Sequence, residues 1–264
     1  MTYPVSVFIM DVSNSSTEDI GGELSSYLHQ LEERISIWTK DIATTKVIHR
    51  SGDEIVVVSS GYETAYTLAF YISRLWKFKD HKPYFGLSFG DINDDVSTLN
   101  IETWIHPMMK QARRSNDLLK QQEQNRDQFN FALDFTGNKS LEGYQLLGSQ
   151  FEILLNTIFR LQQNHINEQT DIQSLVCSLF LILNQQNKVS NHIDRSASTV
   201  SSHMKKGKCD NIIRAFTDVV SVLNSLHIHS EVDSESIQKV MNEQLQNNIK
   251  QIVSNDLNDY FPIN

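Results

Sequence analysis

A chain of 264 residues, 39% of them hydrophobic and carrying a formal net charge of −9, has room for two modest cores at roughly 100–200 residues per domain. It holds no stretch near the ~20 consecutive apolar residues of a membrane span. Met1–Met10 lacks the basic-then-apolar layout of a signal peptide, and two cysteines, Cys177 and Cys209, make neither a disulfide framework nor a zinc site. These features predict a reduced, cytoplasmic protein with no membrane partner, and the acidic balance argues against nucleic-acid binding by the surface as a whole.

Residues 4–12, Pro-Val-Ser-Val-Phe-Ile-Met-Asp-Val, predict a buried strand ending in a carboxylate. Ser13–Thr17 offers N-capping residues, and from Ile20 the apolar positions Leu24, Leu28, Leu31, Ile35 and Trp38 fall three and four apart, as on one helical face. Lys46–His49 and Ile55–Ser59 are β-branched runs on either side of Arg50-Ser51-Gly52-Asp53, the pattern of a hairpin. Tyr62–Lys77 returns to helical spacing. Tyr84–Ile92 is another strand, Ile105–Gln122 a charged helix, and Phe129–Asp134 a last short strand. The resulting β-α-β-β-α-β-α-β order predicts an α+β, ferredoxin-like sheet with helices packed on one face.

Thr136–Glu142 is a predicted linker. Beyond about Tyr144 every apolar pattern is helical: Leu146–Gln163, Asp171–Asn184, Lys188–Asp194, Ala197–Lys206, Cys209–Leu226 and Ser234–Leu257. Residues 1–143 are thus expected to form the α+β domain and 144–264 an all-α domain. Cys177 sits in an apolar helical run and reads as a small core residue. The last segment carries a stripe from Ile237 to Val253 that suits either the core or a dimer contact. His192, His203, His227 and His229 have no metal-ligand spacing with carboxylates.

Two carboxylates stand out. Asp11 ends the first strand and Asp53 sits at the hairpin tip, followed by Glu54. In a ferredoxin-like sheet the hairpin lies beside the first strand, so the carboxylates can converge. Two hard oxygen ligands there suit Mg²⁺ carrying nucleotide phosphates. Aspartate is also common at strand ends and turns for conformational reasons alone.

The surrounding residues carry a family resemblance. Phe8-Ile9-Met10-Asp11-Val12-Ser13-Asn14-Ser15 is similar to the opening of class III nucleotide cyclase domains, His49-Arg50-Ser51-Gly52-Asp53-Glu54 to their hairpin, and Gly86-Leu87-Ser88-Phe89-Gly90-Asp91-Ile92 to their next strand. Pro107-Met108-Met109-Lys110-Gln111-Ala112-Arg113 matches the Pro-x-x-x-x-Ala-Arg helix of the SatD family, bacterial proteins that join a cyclase-like domain to a helix-turn-helix. The resemblance implies a nucleotide-cyclase-like domain with Asp11, Asp53 and Glu54 at a metal or phosphate site. It also implies lost turnover. His49 stands where the cyclases carry a base-selecting lysine, and Met109 where they carry an asparagine that helps position the reacting groups.

Between Asn184 and Ala215 six basic residues face two acidic ones, a net +4 that leaves −13 on the remainder. Such a basic island is a candidate phosphate-binding surface or simply a solvated helix face. Within it, residues 187–206 have the layout of a helix-turn-helix, with Val189, Ile193, Val200 and Met204 spaced to point inward. Ser196-Ala197-Ser198-Thr199-Val200-Ser201 resembles the helix-turn-helix of many bacterial regulators. Ser198, Thr199, Ser201 and Ser202 are then expected toward DNA base edges, with Lys205, Lys206 and Lys208 toward phosphates. The usual glycine of the turn is absent. Taken together, the sequence predicts a non-catalytic regulatory or interaction protein, homo-oligomeric, whose helical domain either binds DNA or holds subunits together. The rival expectations are a metal-dependent cyclase or nucleotidyltransferase-like enzyme using Asp11 and Asp53, and a purely structural oligomer.

Overall fold

The computed structural model describes residues 2–15, 20–50, 52–122, 126–134, 147–226 and 234–262, the side chains of 234–238 excepted. The predicted linker at Thr136–Glu142, the boundary near residue 143, and His227 and His229 lie outside the described residues. Strands β1 (Tyr3–Val12), β2 (Thr45–Arg50), β3 (Glu54–Ser60), β4 (Pro83–Ile92) and β5 (Phe129–Phe131) form one mixed sheet in the order β2-β3-β1-β4-β5. β1 runs antiparallel to both β3 and β4, and β5 runs parallel to β4. The chain is therefore α+β. No described helix is long and apolar enough to cross a membrane.

The unbroken apolar run of β1 follows from its central place, because both of its faces are covered. Phe8, Met10 and Val12 point into the larger core beneath α1 (Gly21–Thr39) and α2 (Thr64–Arg74). Val5, Val7 and Ile9 join Val56, Val58, Met108 and Ala112 beneath α3 (Pro107–Lys120). Helices were expected on one face only; α1 and α2 obey that, while α3 lies across the opposite face. Gly86 makes this possible. A Cβ there would stand 2.2 Å from the Ala112 carbonyl oxygen and 2.3 Å from the Asn116 nitrogen, so the helix backbone rests on the bare glycine. Asn116 Nδ2 then donates to the Ile9 carbonyl at 2.9 Å, and the Ser88 hydroxyl to Gln111 Oε1 at 2.6 Å. The capping expected from Ser13–Thr17 is not what starts α1, which begins after Ile20 without a side-chain cap.

The rest of the described chain is helical: α4 (Gly148–Asn167), α5 (Asp171–Leu183), α6 (Gln186–His192), α7 (Ala197–Lys206), α8 (Cys209–Ser225), α9 (Ser234–Asn255) and α10 (Leu257–Tyr260). These helices share a core with α1 and α2. Phe216 of α8 stacks on Phe70 at 4.2 Å and 11°, and Tyr66 meets Phe159 of α4 at 5.0 Å. Polar side chains seal the seam. Arg74, itself buried, donates to the Ser174 carbonyl at 3.1 Å, and Asn242 Nδ2 donates to Thr67 Oγ1 at 2.9 Å. Leu245, Ile249 and Val253 of α9 are fully buried in this core. Of the two uses open to the C-terminal stripe, core packing is the one realised, and these residues are not free to form a dimer contact. Cys177 and Cys209 are both buried free thiols.

Candidate metal and phosphate site

Asp11 is the next-to-last residue of β1 and pairs in register with Tyr84. It is only 8% exposed. Its carboxyl is pushed up from the ordinary 3.8 to about 6, first by burial and then by the negative charges of Asp53 and Glu54, with Lys120 and Arg113 partly offsetting them. Asp53 reaches this position from the turn between β2 and β3, where Gly52 adopts a φ of 106°, a conformation that side chains disfavour. The Ser15 hydroxyl donates to Asp53 Oδ2. The β1–β3 pairing thus brings together two carboxylates that lie far apart in sequence, as the hairpin argument expected.

Glu54 has a different role from the other two. Arg113 Nη2 donates to its Oε1 at 2.9 Å, Arg113 Nη1 donates to Oε2, and Arg50 Nη1 donates to Oε1 at 3.1 Å. Burial alone would raise the Glu54 carboxyl, but the hydrogen bonds and charge of Arg113, aided by Arg50, outweigh it and hold the group below its usual range. Both Glu54 oxygens are therefore committed to guanidinium groups. Asp11 and Asp53 remain as the oxygen donors that fit a hard divalent cation: a buried carboxylate held against a second one is relieved of repulsion and desolvation when a cation arrives.

Beside the carboxylates opens a cleft of about 610 Å³. It shares Arg50 and Arg113 with the carboxylate cluster and adds Lys110, Arg114 and Trp104. The Trp104 ring stacks on His106 at 4.8 Å and 8°, and His106 caps α3 by accepting from the Met108 amide at 3.3 Å. Burial holds the His106 imidazole below its usual range, so the ring keeps the lone pair that the cap requires. Met109 lines the same cleft but offers only a thioether. His49 Nε2 lies 3.2 Å from the Gly52 carbonyl. On the other flank, Arg126 donates to the Ser13 hydroxyl at 2.7 Å and lies 4.6 Å over the Tyr84 ring.

Sequence reasoning found the carboxylates and missed most of the cations. Arg113 was visible in the Pro107–Arg113 pattern and Arg50 in the hairpin. Nothing in the sequence marked Lys120 or Arg126, because their approach depends on how α3 lies across the sheet.

The second candidate region is α6 with α7. Val189, Ile193, Val200 and Met204 are buried as their spacing predicts. In place of the missing glycine, Asp194 takes the left-handed conformation with φ 50°, which aspartate tolerates better than most residues. Ser196 caps α7, accepting from the Thr199 amide at 3.2 Å. The hydroxyls of Ser198 and Thr199 each lie 2.9 Å from the Ser196 hydroxyl, which ties both to the cap. Ser198, Ser201, Ser202, Lys205, Lys206 and Lys208 are exposed, and Thr199 is half-buried. Ser202, Lys205 and Lys206 lie on the side of α7 opposite Val200 and Met204.

Comparison of the chain with protein-family models, with curated proteins and with solved structures finds no match.

Proposed function

We propose that this is a non-catalytic regulatory protein whose ferredoxin-like, cyclase-like sheet domain binds a nucleotide through a divalent cation, and whose helix-turn-helix meets DNA. The observation that carries the reading is the buried Asp11 beside Asp53, next to a cleft lined by Arg50, Lys110, Arg113 and Arg114. Asp11 and Asp53 would hold Mg²⁺, which supplies positive charge to phosphate oxygens. Lys110 and Arg114, both exposed, are available to the remaining phosphate charge, and the flat Trp104 face to a base. The β2-β3-β1-β4 order with its two crossover helices supports the ferredoxin-like assignment.

The absence of turnover rests on Arg113. A cation that would otherwise meet charge developing on a transferring phosphoryl group is neutralised within the same chain by Glu54. Met109 and His49 supply neither the amide nor the ammonium that the cyclase pattern places at those positions. Calorimetric titration with ATP and with GTP, with and without Mg²⁺, tests binding. Expected is cation-dependent binding that Asp11→Asn abolishes, with no cyclic nucleotide formed over prolonged incubation. A cyclic product lost in Asp11→Ala and Asp53→Ala variants establishes the enzyme instead.

The DNA part of the reading is supported by the exposed row Ser202, Lys205 and Lys206 on α7 and by the local net charge of +4 on a chain of −9. Self-association would match a two-fold operator. With the α9 stripe buried, what favours it is the apolar set on α4, where Ile153, Leu154 and Leu161 are 62%, 62% and 59% exposed. Light scattering giving the mass of a single 30.3 kDa chain rules out the oligomer, and an unchanged gel shift in a Lys205→Ala/Lys206→Ala variant removes the DNA role.

A further inference from the structure

His29 and Glu32 sit one helical turn apart on α1, and His49 lies near the end of edge strand β2. On β2, His49 is two residues from Val47, which packs against the core beneath α1 and α2, so both side chains face α1. One ligand-capable atom from each of His29, Glu32 and His49 falls within 4.8 Å of the others. We propose that these three residues form a binding site for a transition-metal ion of the zinc class, separate from the Asp11–Asp53 pair and bridging α1 to β2.

Three features of the geometry support this. The donor set is two imidazoles and one carboxylate, which suits Zn²⁺ or Co²⁺ better than a hard cation such as Mg²⁺. Within the pair on α1 the spacing is also close to what a metal requires. His29 Nδ1 lies 3.7 Å from Glu32 Oε2, against about 3.3 Å for two ligands on one tetrahedral zinc, a difference that a small side-chain rotation closes. Finally, one histidine already has its outer partner. Metal-bound histidines usually donate their second ring N–H to a carboxylate or carbonyl, which fixes the tautomer. His29 Nε2 faces the Glu33 carboxylate at 3.8 Å, longer than a hydrogen bond. His49 Nε2 has the Gly52 carbonyl at 3.2 Å; a carbonyl can only accept, so the neutral ring keeps its lone pair on Nδ1. Three protein ligands leave at least one coordination position to water. A metal here clamps the edge strand to α1 and, through His49 and Gly52, adjoins the turn that carries Asp53.

The site rests on different residues from the proposed nucleotide site, so the two can fail independently. The test is titration of the full chain, freed of any histidine tag, with Co²⁺ while the visible d–d absorption is followed, then displacement by Zn²⁺. Expected is one Co²⁺ per chain that gives the visible absorption of a four- or five-coordinate site and is bleached by Zn²⁺, any further Co²⁺ at Asp11 and Asp53 adding nothing to that band. His29→Ala and His49→Ala should each weaken binding at least tenfold, and Asp11→Asn should leave it unchanged. His29 is 69% exposed, so His29→Ala removes a ligand without disturbing the fold, which far-ultraviolet circular dichroism checks. A titration without a visible band, a band that both histidine variants retain, or a band lost only in Asp11→Asn overturns the assignment.

Discussion

Replacing Asp11 with asparagine should stabilise this protein at neutral pH while removing a ligand of the proposed cation site. The Asp11 carboxyl moves from 3.8 when the chain is unfolded to about 6 in the folded protein. Below pH 3.8 it is protonated in both states and the shift has no effect on stability. Between 3.8 and about 6 the folded state keeps a proton that the unfolded state has released, so stability falls as pH rises. Above about 6 the full penalty of a buried carboxylate facing Asp53 and Glu54 is present. Two units at about 1.4 kcal/mol each set an upper value near 3 kcal/mol, and solvent at the partly open turn lowers this to about 2 to 3 kcal/mol. Asparagine has nearly the same shape and no charge. In urea titrations the variant should match the parent near pH 4 and exceed it by about 2 to 3 kcal/mol near pH 7.5. Millimolar Mg²⁺ should recover part of that difference in the parent and do nothing for the variant. A stability difference that does not change with pH, or a variant weaker than the parent at neutral pH, would refute the argument that burial and like charge set the Asp11 proton affinity.

Other substitutions probe the packing that holds the site. Gly86→Ala pushes a methyl group into the Ala112 carbonyl and the Asn116 amide; it should cost more than about 2 kcal/mol in denaturant titrations and weaken the proposed nucleotide binding by displacing Arg113. Phe216→Ala empties the stack on Phe70 and should cost about 3 to 5 kcal/mol. Because the core is shared, circular dichroism and tryptophan fluorescence should report one coincident unfolding transition in both parent and variant; two separate transitions would show that the halves fold independently. In the α7 variant Lys205→Ala/Lys206→Ala, the slope of log affinity for DNA against log salt should fall by roughly two units, with little change in sequence preference.

Much of the secondary structure was legible because its signals are local. The three- and four-residue spacing from Leu24 to Trp38, the hairpin around Gly52 and the helical run Ala197–Lys206 all report interactions within a few residues. Ends were less legible. The helix expected through Leu257 stops at Asn255 and restarts as α10, and the strand expected to Asp134 is paired only to Phe131. A strand ends where its partner ends, and the partner is remote in sequence.

The sequence alone determined the order of elements, the buried character of β1, the inward faces of α6 and α7, and the convergence of Asp11 with Asp53 once the hairpin is laid beside the first strand. Only the tertiary structure decided which face α3 covers, that Arg113 and Arg50 spend their charge on Glu54, that the α9 stripe is core, and that His49 comes within reach of His29 and Glu32. The physical reason is the range of the interactions. Periodicity and turn chemistry act over one or two turns of chain, whereas a helix settling on Gly86 or an ion pair joining residues 54 and 113 depends on packing between segments that the chain alone does not bring together.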